Sequence, residues 1–387
     1  MNNKKIRICA LTTISKTMDW FVVDSMRNLS MNGYDVTLVC NMEDGFAERN
    51  GDYARCINMP MNRGASLKDL LTMSWKLYRL FKREQFDIIY YTTPNAALYA
   101  SISGRLAGIK CRYYNQWGLR YVSFKGTKRK LFKAIEKLTC RMSTTIREAS
   151  PMNRELAIKE GLCQADKISV IGVGGTTGVS LKECDAIDRS ESKRMLREKY
   201  GIAQDGFLYG YVGRVNADKG INELITAFVE LQKKHKDVYL ALVGMVDDAN
   251  PISEENMKMA RENDHIVLTG NVPPSEVYAH MAMFDVLTHP TYREGFGKVL
   301  QEAMGVRLPI ITTDVPGPSE VVDSGVSGLL VRDHNAKDLE DKMEMLYNDV
   351  ELRESLAANG RARAEKYFDR PIMLNNILED LNKTLVR

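Results

Sequence analysis

The sequence predicts two α/β domains, each built on a doubly wound parallel sheet. Three observations carry that expectation. A chain of 387 residues holds two domains at roughly 100–200 residues apiece, each large enough to bury its own core. Short strand-like apolar runs alternate with helical stretches from end to end, the pattern of parallel strands joined by crossover helices. A glycine-rich stretch, residues 172–179, falls where one such series gives way to the next, and glycine permits the sharp turns that a domain crossover needs.

The elements follow in order. Met1-Asn2-Asn3-Lys4-Lys5 is basic, but the apolar run behind it is too short for a signal sequence, so residues 6–11 read as a first strand. Further strands are expected at residues 35–40, 87–91, 111–115 and 167–171. Between them lie helices over residues 20–31, closed by Asn32-Gly33, and 66–84, opened by Ser66 with Asp69 three residues on. The second half repeats the scheme with strands at 208–212, 239–243, 266–268, 286–289, 309–313 and 328–331. From Ala336 onward the pattern is helical, and Pro371 interrupts it just after Phe368-Asp369-Arg370. No internal repeat or low-complexity tract is present.

Composition narrows the function. With 44% hydrophobic and 27% charged residues the chain is of ordinary globular type. Its seven cysteines are scattered without a C-x-x-C pair, which suits small apolar fillers in a reducing compartment. Nowhere do about 18 apolar residues run together, so a spanning helix is excluded and membrane contact would be peripheral. Residues 1–180 carry 28 Lys and Arg against 15 Asp and Glu, whereas the remainder carries 26 against 35. That asymmetry turns the first half toward a polyanion such as lipid headgroups, a lipid pyrophosphate or nucleic acid. No nucleic-acid-binding module accompanies the charge, so nucleic acid is not expected as a partner.

Two segments concentrate chemistry. After the strand at 208–212, Gly213-Arg214 is followed by Lys219-Gly220 and a helix from about Asn222, which gathers two cations at a strand's C-terminal end. Open α/β sheets bind ligands at that edge and helix starts favour anions, so a diphosphate suits the site. After the strand ending at His289, Glu294-Gly295-Phe296-Gly297-Lys298 leads into a second helix that carries Glu302. Glycines there let backbone approach a ligand, free amide donors at the helix start suit phosphate, and the two carboxylates can accept hydrogen bonds from sugar hydroxyls.

These segments resemble the Arg-x4-Lys and Glu-x7-Glu motifs of family 4 retaining glycosyltransferases of GT-B fold, and the likeness continues through residues 313–331. The resemblance implies two Rossmann-like domains facing across a cleft, with residues 1–174 binding the acceptor, a hinge at 175–184, residues 185–370 binding the nucleotide-sugar, and the helix of residues 371–387 crossing back to the first domain. It implies that Arg214 and Lys219 bind the donor diphosphate and stabilise the departing nucleotide, and that Glu294 holds donor-sugar hydroxyls. Gly213, Phe296, Gly297 and Lys298 would complete the sugar and phosphate contacts, Glu302 would hold the ribose, and Asn271 and Val272 would meet the base. UDP is the nucleotide the family suggests. The stretch 173–179 is similar to that of bacterial capsule and polysaccharide sugar transferases acting on undecaprenyl-diphosphate carriers, which places the chain in the cytoplasm, on the inner face of the membrane. The family retains anomeric configuration by a same-face substitution, without a named nucleophile, cofactor or metal. Asp247-Asp248 lacks the spacing of an Asp-x-Asp metal motif.

The first domain departs from its relatives. Thr12-Thr13-Ile14-Ser15 stands where many carry a Gly-Gly pair, and all five histidines (His235, His265, His280, His289 and His334) lie in the second half, so no first-domain histidine acts as a base. Gln116 and Arg120 are the candidates for acceptor contact. Residues 124–138 form a basic amphipathic stretch, with Lys128, Arg129 and Lys130 beside an apolar face of Leu131, Ile135 and Leu138, suited to an anionic leaflet. Two other readings share the diphosphate site: a GT-B nucleotide-sugar epimerase, which needs proton-transfer groups that the first half lacks as histidines, and a non-catalytic membrane-associated binding subunit.

Overall fold

The computed structural model describes residues 5–62 and 67–386. The chain divides into two compact units, Met1–Thr177 together with Pro371–Arg387, and Gly178–Arg370. Each holds one wholly parallel sheet flanked by helices, the pair of Rossmann-like units that GT-B implies.

The first unit runs β1 (Arg7–Ile14), α1 (Ser15–Phe21), α2 (Val23–Met31), β2 (Asp35–Asn41), α3 (Phe46–Asn50), β3 (Ala54–Asn58), α4 (Leu67–Glu84), β4 (Ile88–Tyr91), α5 (Pro94–Ala107), β5 (Cys111–Gln116), α6 (Gly126–Met142), β6 (Thr145–Glu148), α7 (Pro151–Lys159) and β7 (Ile168–Ser169). Its strands lie in the order β3-β2-β1-β4-β5-β6-β7, with Ile8 opposite both Val36 and Ile88. Because alternate side chains leave opposite faces of a strand, β1 feeds two cores. Cys9 and Leu11 pack with Met73, Leu77 and Phe81 of α4 and with Ala96 and Ala100 of α5. Ile8 and Ala10 pack with Met18, Met26, Ile377 and Leu381 on the other face. Burial on both faces is why these strands read as continuous apolar runs.

The second unit runs α8 (Leu181–Asp185), α9 (Arg189–Lys199), β8 (Phe207–Val212), α10 (Ile221–Lys234), β9 (Val238–Val243), α11 (Glu254–Glu262), β10 (Ile266–Gly270), α12 (Val277–Ala282), β11 (Val286–His289), α13 (Lys298–Gly305), β12 (Ile310–Thr313), α14 (Pro318–Val321), β13 (Leu329–Val331), α15 (Ala336–Asn348) and α16 (Val350–Arg363). Its strand order is β10-β9-β8-β11-β12-β13. The chain therefore leaves β8 to one side and returns on the other at β11, and the neighbouring ends of β8 and β11 form the switch point where such sheets bind ligands.

Several details differ from the sequence expectations. The helix foreseen over residues 20–31 is two, because Val22 leaves helical geometry at φ −128°. Strands β3 (ARCIN) and β6 (TIRE) carry charged residues that hide the apolar signal. Ser66 lies outside the described residues. At the C-terminal end the break falls at Asp369, which is extended at ψ 134°, and Pro371 then sits in the first turn of α17 (Arg370–Val386) rather than breaking a helix. A proline there costs nothing, since first-turn amides have no partner within the helix. No described helix is long and apolar enough to cross a membrane.

Candidate active site

Strands β8 and β11 pair directly, with Tyr209 opposite Val286 and Gly210 opposite Leu287, so both release their loops at the same sheet edge. The loops are stitched together. The Tyr292 amide donates to the Asp218 carbonyl at 3.0 Å, and Arg293 pairs with the Asp218 carboxylate. Gly220 adopts φ +68°, and a Cβ there would collide with the Pro290 carbonyl, so glycine is what lets α10 start against the second loop. Asn216 caps the short turn Ala217–Lys219 by accepting from the Lys219 amide at 3.2 Å.

This stitching sets Lys219 directly on Glu294: its ammonium pairs with the Glu294 carboxylate. His289, at the end of β11, reaches the same carboxylate oxygen at 3.4 Å. Burial alone would raise the Glu294 carboxyl, but the Lys219 ammonium and the His289 N–H outweigh it and hold the group well below the usual carboxylate range. His289 is 2% exposed at its side chain, and burial lowers its pKa, so the ring is neutral. An ionised carboxylate only accepts, which puts the His289 proton on Nε2. The ring stacks on Tyr211 at 5.4 Å and 7°, and the Tyr211 hydroxyl donates to the Arg214 carbonyl at 2.9 Å. Arg214 points its guanidinium at Asp247, 2.6 Å away, on the loop after neighbouring β9, and the Asn216 amide donates to that same oxygen at 3.0 Å. Through Asn216, the turn that carries Lys219 and the anchor of Arg214 are one network.

Gly297, at φ +88°, opens α13. Phe296 is buried, edge-on to Phe368 at 6.0 Å. Glu302 lies one turn into α13 and is mostly covered; burial raises its pKa, while Lys298, 3.9 Å away, and Arg370 act in the opposite sense. Asn271 is exposed and Val272 half-buried just after β10, two strands out from β8. Sequence reasoning missed Asp247, Asn216 and His289 as parts of this cluster. His289 carried a usable signal, since it ends a strand five residues before Glu294, but Asp247 becomes a neighbour of Arg214 only through the pairing of β8 with β9.

The first-unit candidates fare differently. Gln116, a candidate for acceptor contact, is fully buried at the end of β5 and donates to Glu136 of α6 at 2.6 Å. The Tyr114 hydroxyl donates to the same Glu136 oxygen at 2.7 Å, and this polar pair draws the Phe132, Glu136 and Cys140 side of α6 inward. The face foreseen at Leu131, Ile135 and Leu138 consequently looks outward at Leu131 and Leu138, with Ile135 half-buried. Arg120 is exposed, its guanidinium 5.5 Å from the Phe132 ring. Lys128 lies over Phe124 at 4.3 Å and Lys130 is exposed, whereas Arg129 is engaged by Glu160 at 2.5 Å.

Residues 192–363 match the family described as Glycosyl transferases group 1, and residues 7–150 match Glycosyl transferase 4-like. The chain is 32% identical over 389 residues to the capsular polysaccharide biosynthesis glycosyltransferase CapM of Staphylococcus aureus, covering 100% of this chain and 99% of the relative. It is 26% identical over 311 residues to the UDP-Gal:alpha-D-GlcNAc-diphosphoundecaprenol alpha-1,3-galactosyltransferase of Escherichia coli, covering 77% and 76% of the two chains. Its fold is similar to that of HepE from Anabaena, solved in complex with UDP and glucose, with a TM-score of 0.80 over 98% of this chain and 100% of that one at 20% identity.

Proposed function

This chain belongs to the group 1 glycosyltransferases, and on that premise we propose that it moves a sugar, with retention of configuration, from a UDP-linked hexose or N-acetylhexosamine to an undecaprenyl-diphosphate-linked saccharide in capsule, O-antigen or exopolysaccharide synthesis. The observation that carries the reading is the Lys219–Glu294 pair at the β8/β11 switch point, with Arg214 tied to the same turn through Asn216 and Asp247.

The chemistry follows from the charges. The donor's diphosphate replaces the carboxylates as partner of Arg214 and Lys219, whose positions are already set by Asp247 and Glu294. As the glycosidic bond to phosphate opens, negative charge collects on the leaving diphosphate, and preorganised cations lower that barrier without reorganising. Glu294, held ionised, accepts hydrogen bonds from donor-sugar hydroxyls, while Glu302 takes the ribose. The backbone of residues 296–298 faces sugar and phosphate, and Asn271 and Val272 meet the base. Two fixed cations do the work a metal would otherwise do, which supports a metal-independent, cofactor-free reaction. In this reading residues 185–370 bind the donor, residues 1–174 present the acceptor with Arg120 as a contact, and residues 175–184 are the hinge. The lipid-linked acceptor is supported by what the Escherichia coli relative's name states of that protein. Peripheral placement on the inner face of the cytoplasmic membrane is supported by the excess of Lys and Arg in residues 1–180, among them exposed Lys128 and Lys130.

The test is transfer itself. Purified protein is incubated with a panel of radiolabelled nucleotide-sugars and membrane lipid extract, and label entering the organic phase is counted. One UDP-sugar is expected to support transfer, and Lys219→Ala to lower it about a hundredfold or more with the fold intact. Folded protein that transfers from no donor sinks the proposal.

A further inference from the structure

Helix α4 packs its Met73, Leu77, Leu80 and Phe81 into the first unit's core. Its other side is unusual. Leu67, Leu71 and Trp75, one turn apart from each other, are 73%, 64% and 58% exposed. The residues around them on that side are Lys68, Thr72, Lys76, Arg79, Lys82 and Arg83, all exposed, and no acidic residue of α4 is exposed. Among the described residues Lys68, Lys76, Arg79 and Lys82 pair with no carboxylate. Arg79 lies over the Trp75 ring at 4.8 Å, leaving the indole flanked by cations. Helix α5 packs against both α4 and α6, and α6 repeats the composition: Leu131 and Leu138 exposed, Lys128, Lys130, Lys137 and Arg141 exposed, and its one acid, Glu136, buried.

An apolar stripe that no described residue covers, with exposed cations and no exposed acid beside it on α4, needs an occupant that is apolar inside and anionic at its surface. We propose that α4 is a membrane-docking helix, laying Leu67, Leu71 and Trp75 into the headgroup boundary of an anionic bilayer while its lysines and arginines meet the headgroups. Tryptophan suits that depth because its ring is apolar and its N–H finds polar partners. A second copy of the chain fits poorly, since a two-fold contact through this face would set cations against cations. The inference rests on the peripheral placement proposed above and names a contacting helix that the basic stretch of α6 does not include.

The test uses the full chain without any nucleotide-sugar, so it stands or falls apart from the transfer reaction, which is read separately on a water-soluble acceptor. Co-sedimentation is measured with vesicles of phosphatidylcholine and phosphatidylglycerol at 70:30 and with phosphatidylcholine alone. Wild-type protein is expected to bind the anionic vesicles and not the neutral ones. The double variant Leu71→Glu with Trp75→Glu should bind at least about tenfold more weakly, and Lys68→Gln with Lys76→Gln and Lys82→Gln about a hundredfold, near fivefold per lysine. All five positions are exposed, so circular dichroism and UDP binding should stay at wild-type values. Wild-type protein that ignores anionic vesicles, or a double variant that binds them as wild type does, overturns the proposal. So does a sedimentation-velocity dimer that the double variant dissolves with no change at vesicles, which assigns the face to a second copy.

Discussion

Glu294 and Glu302 are the same residue type eight positions apart, and their surroundings drive them in opposite directions. A cation in contact outweighs burial at Glu294; at Glu302 the nearest ammonium, 3.9 Å off, does not. Environment, not residue type, sets which way a carboxyl's pKa moves. Glu148, at the end of β6, is the extreme case: it is 2% exposed, one oxygen accepts from the Ala149 amide at 3.0 Å, and burial pushes its pKa well up. A folded-state pKa above the unfolded one means the native chain holds the extra proton. Its contribution to stability is therefore complete below the unfolded value and is lost as pH rises through the folded one. Glu148→Gln, which keeps the shape and cannot ionise, should melt higher relative to wild type at pH 8 than at pH 5. Melting curves at the two pH values check this, and an equal difference at both would show that Glu148 titrates alike in folded and unfolded chains.

At the scale of elements, function rests on how helices begin. Helix α10 opens at Gly220 and α13 at Gly297, each with positive φ, so that motif loops turn sharply off β8 and β11. Gly220 is the stricter of the two because the Pro290 carbonyl occupies the space of a side chain. Gly220→Ala should cost at least about 2 kcal/mol, from left-handed strain plus displacement of the second loop. Because that displacement separates Lys219 from Glu294, transfer should fall further than stability alone explains. Denaturant melts with rate measurements at a temperature where the variant is folded check both. Wild-type rates in a destabilised protein would detach the loop contact from catalysis.

On the scale of the whole molecule, each unit has its own sheet and its own core. The second unit is pinned by Arg197 of α9, fully buried, which gives hydrogen bonds to the Met283 and Gly206 carbonyls and pairs with Asp285 at 2.7 Å. Asp285 also accepts from the Leu208 amide at 2.8 Å, so one ion pair ties α9 to the starts of β8 and β11. Removing its carboxylate strands a buried guanidinium, at a cost of about 3–5 kcal/mol. Asp285→Ala should accordingly lower protection from hydrogen exchange across residues 178–370 and leave the sheet of residues 7–169 at wild-type protection. Equal loss in both would mean that the units unfold as one.

By itself the sequence determined the fold class and the two motif loops, because apolar runs buried on both faces and glycine-bounded turns are local signals. All six strands of the second unit were legible on those grounds, while β3 and β6 were not, since their burial depends on neighbouring strands rather than on their own composition. What only the tertiary structure decided was which charges meet and which faces remain uncovered. Asp247 reaches Arg214 because β9 lies beside β8, Gln116 turns inward because Glu136 awaits it, and α4 leaves an apolar stripe exposed. Partners distant in sequence are chosen by strand order and packing, and spacing along a chain carries no record of that choice.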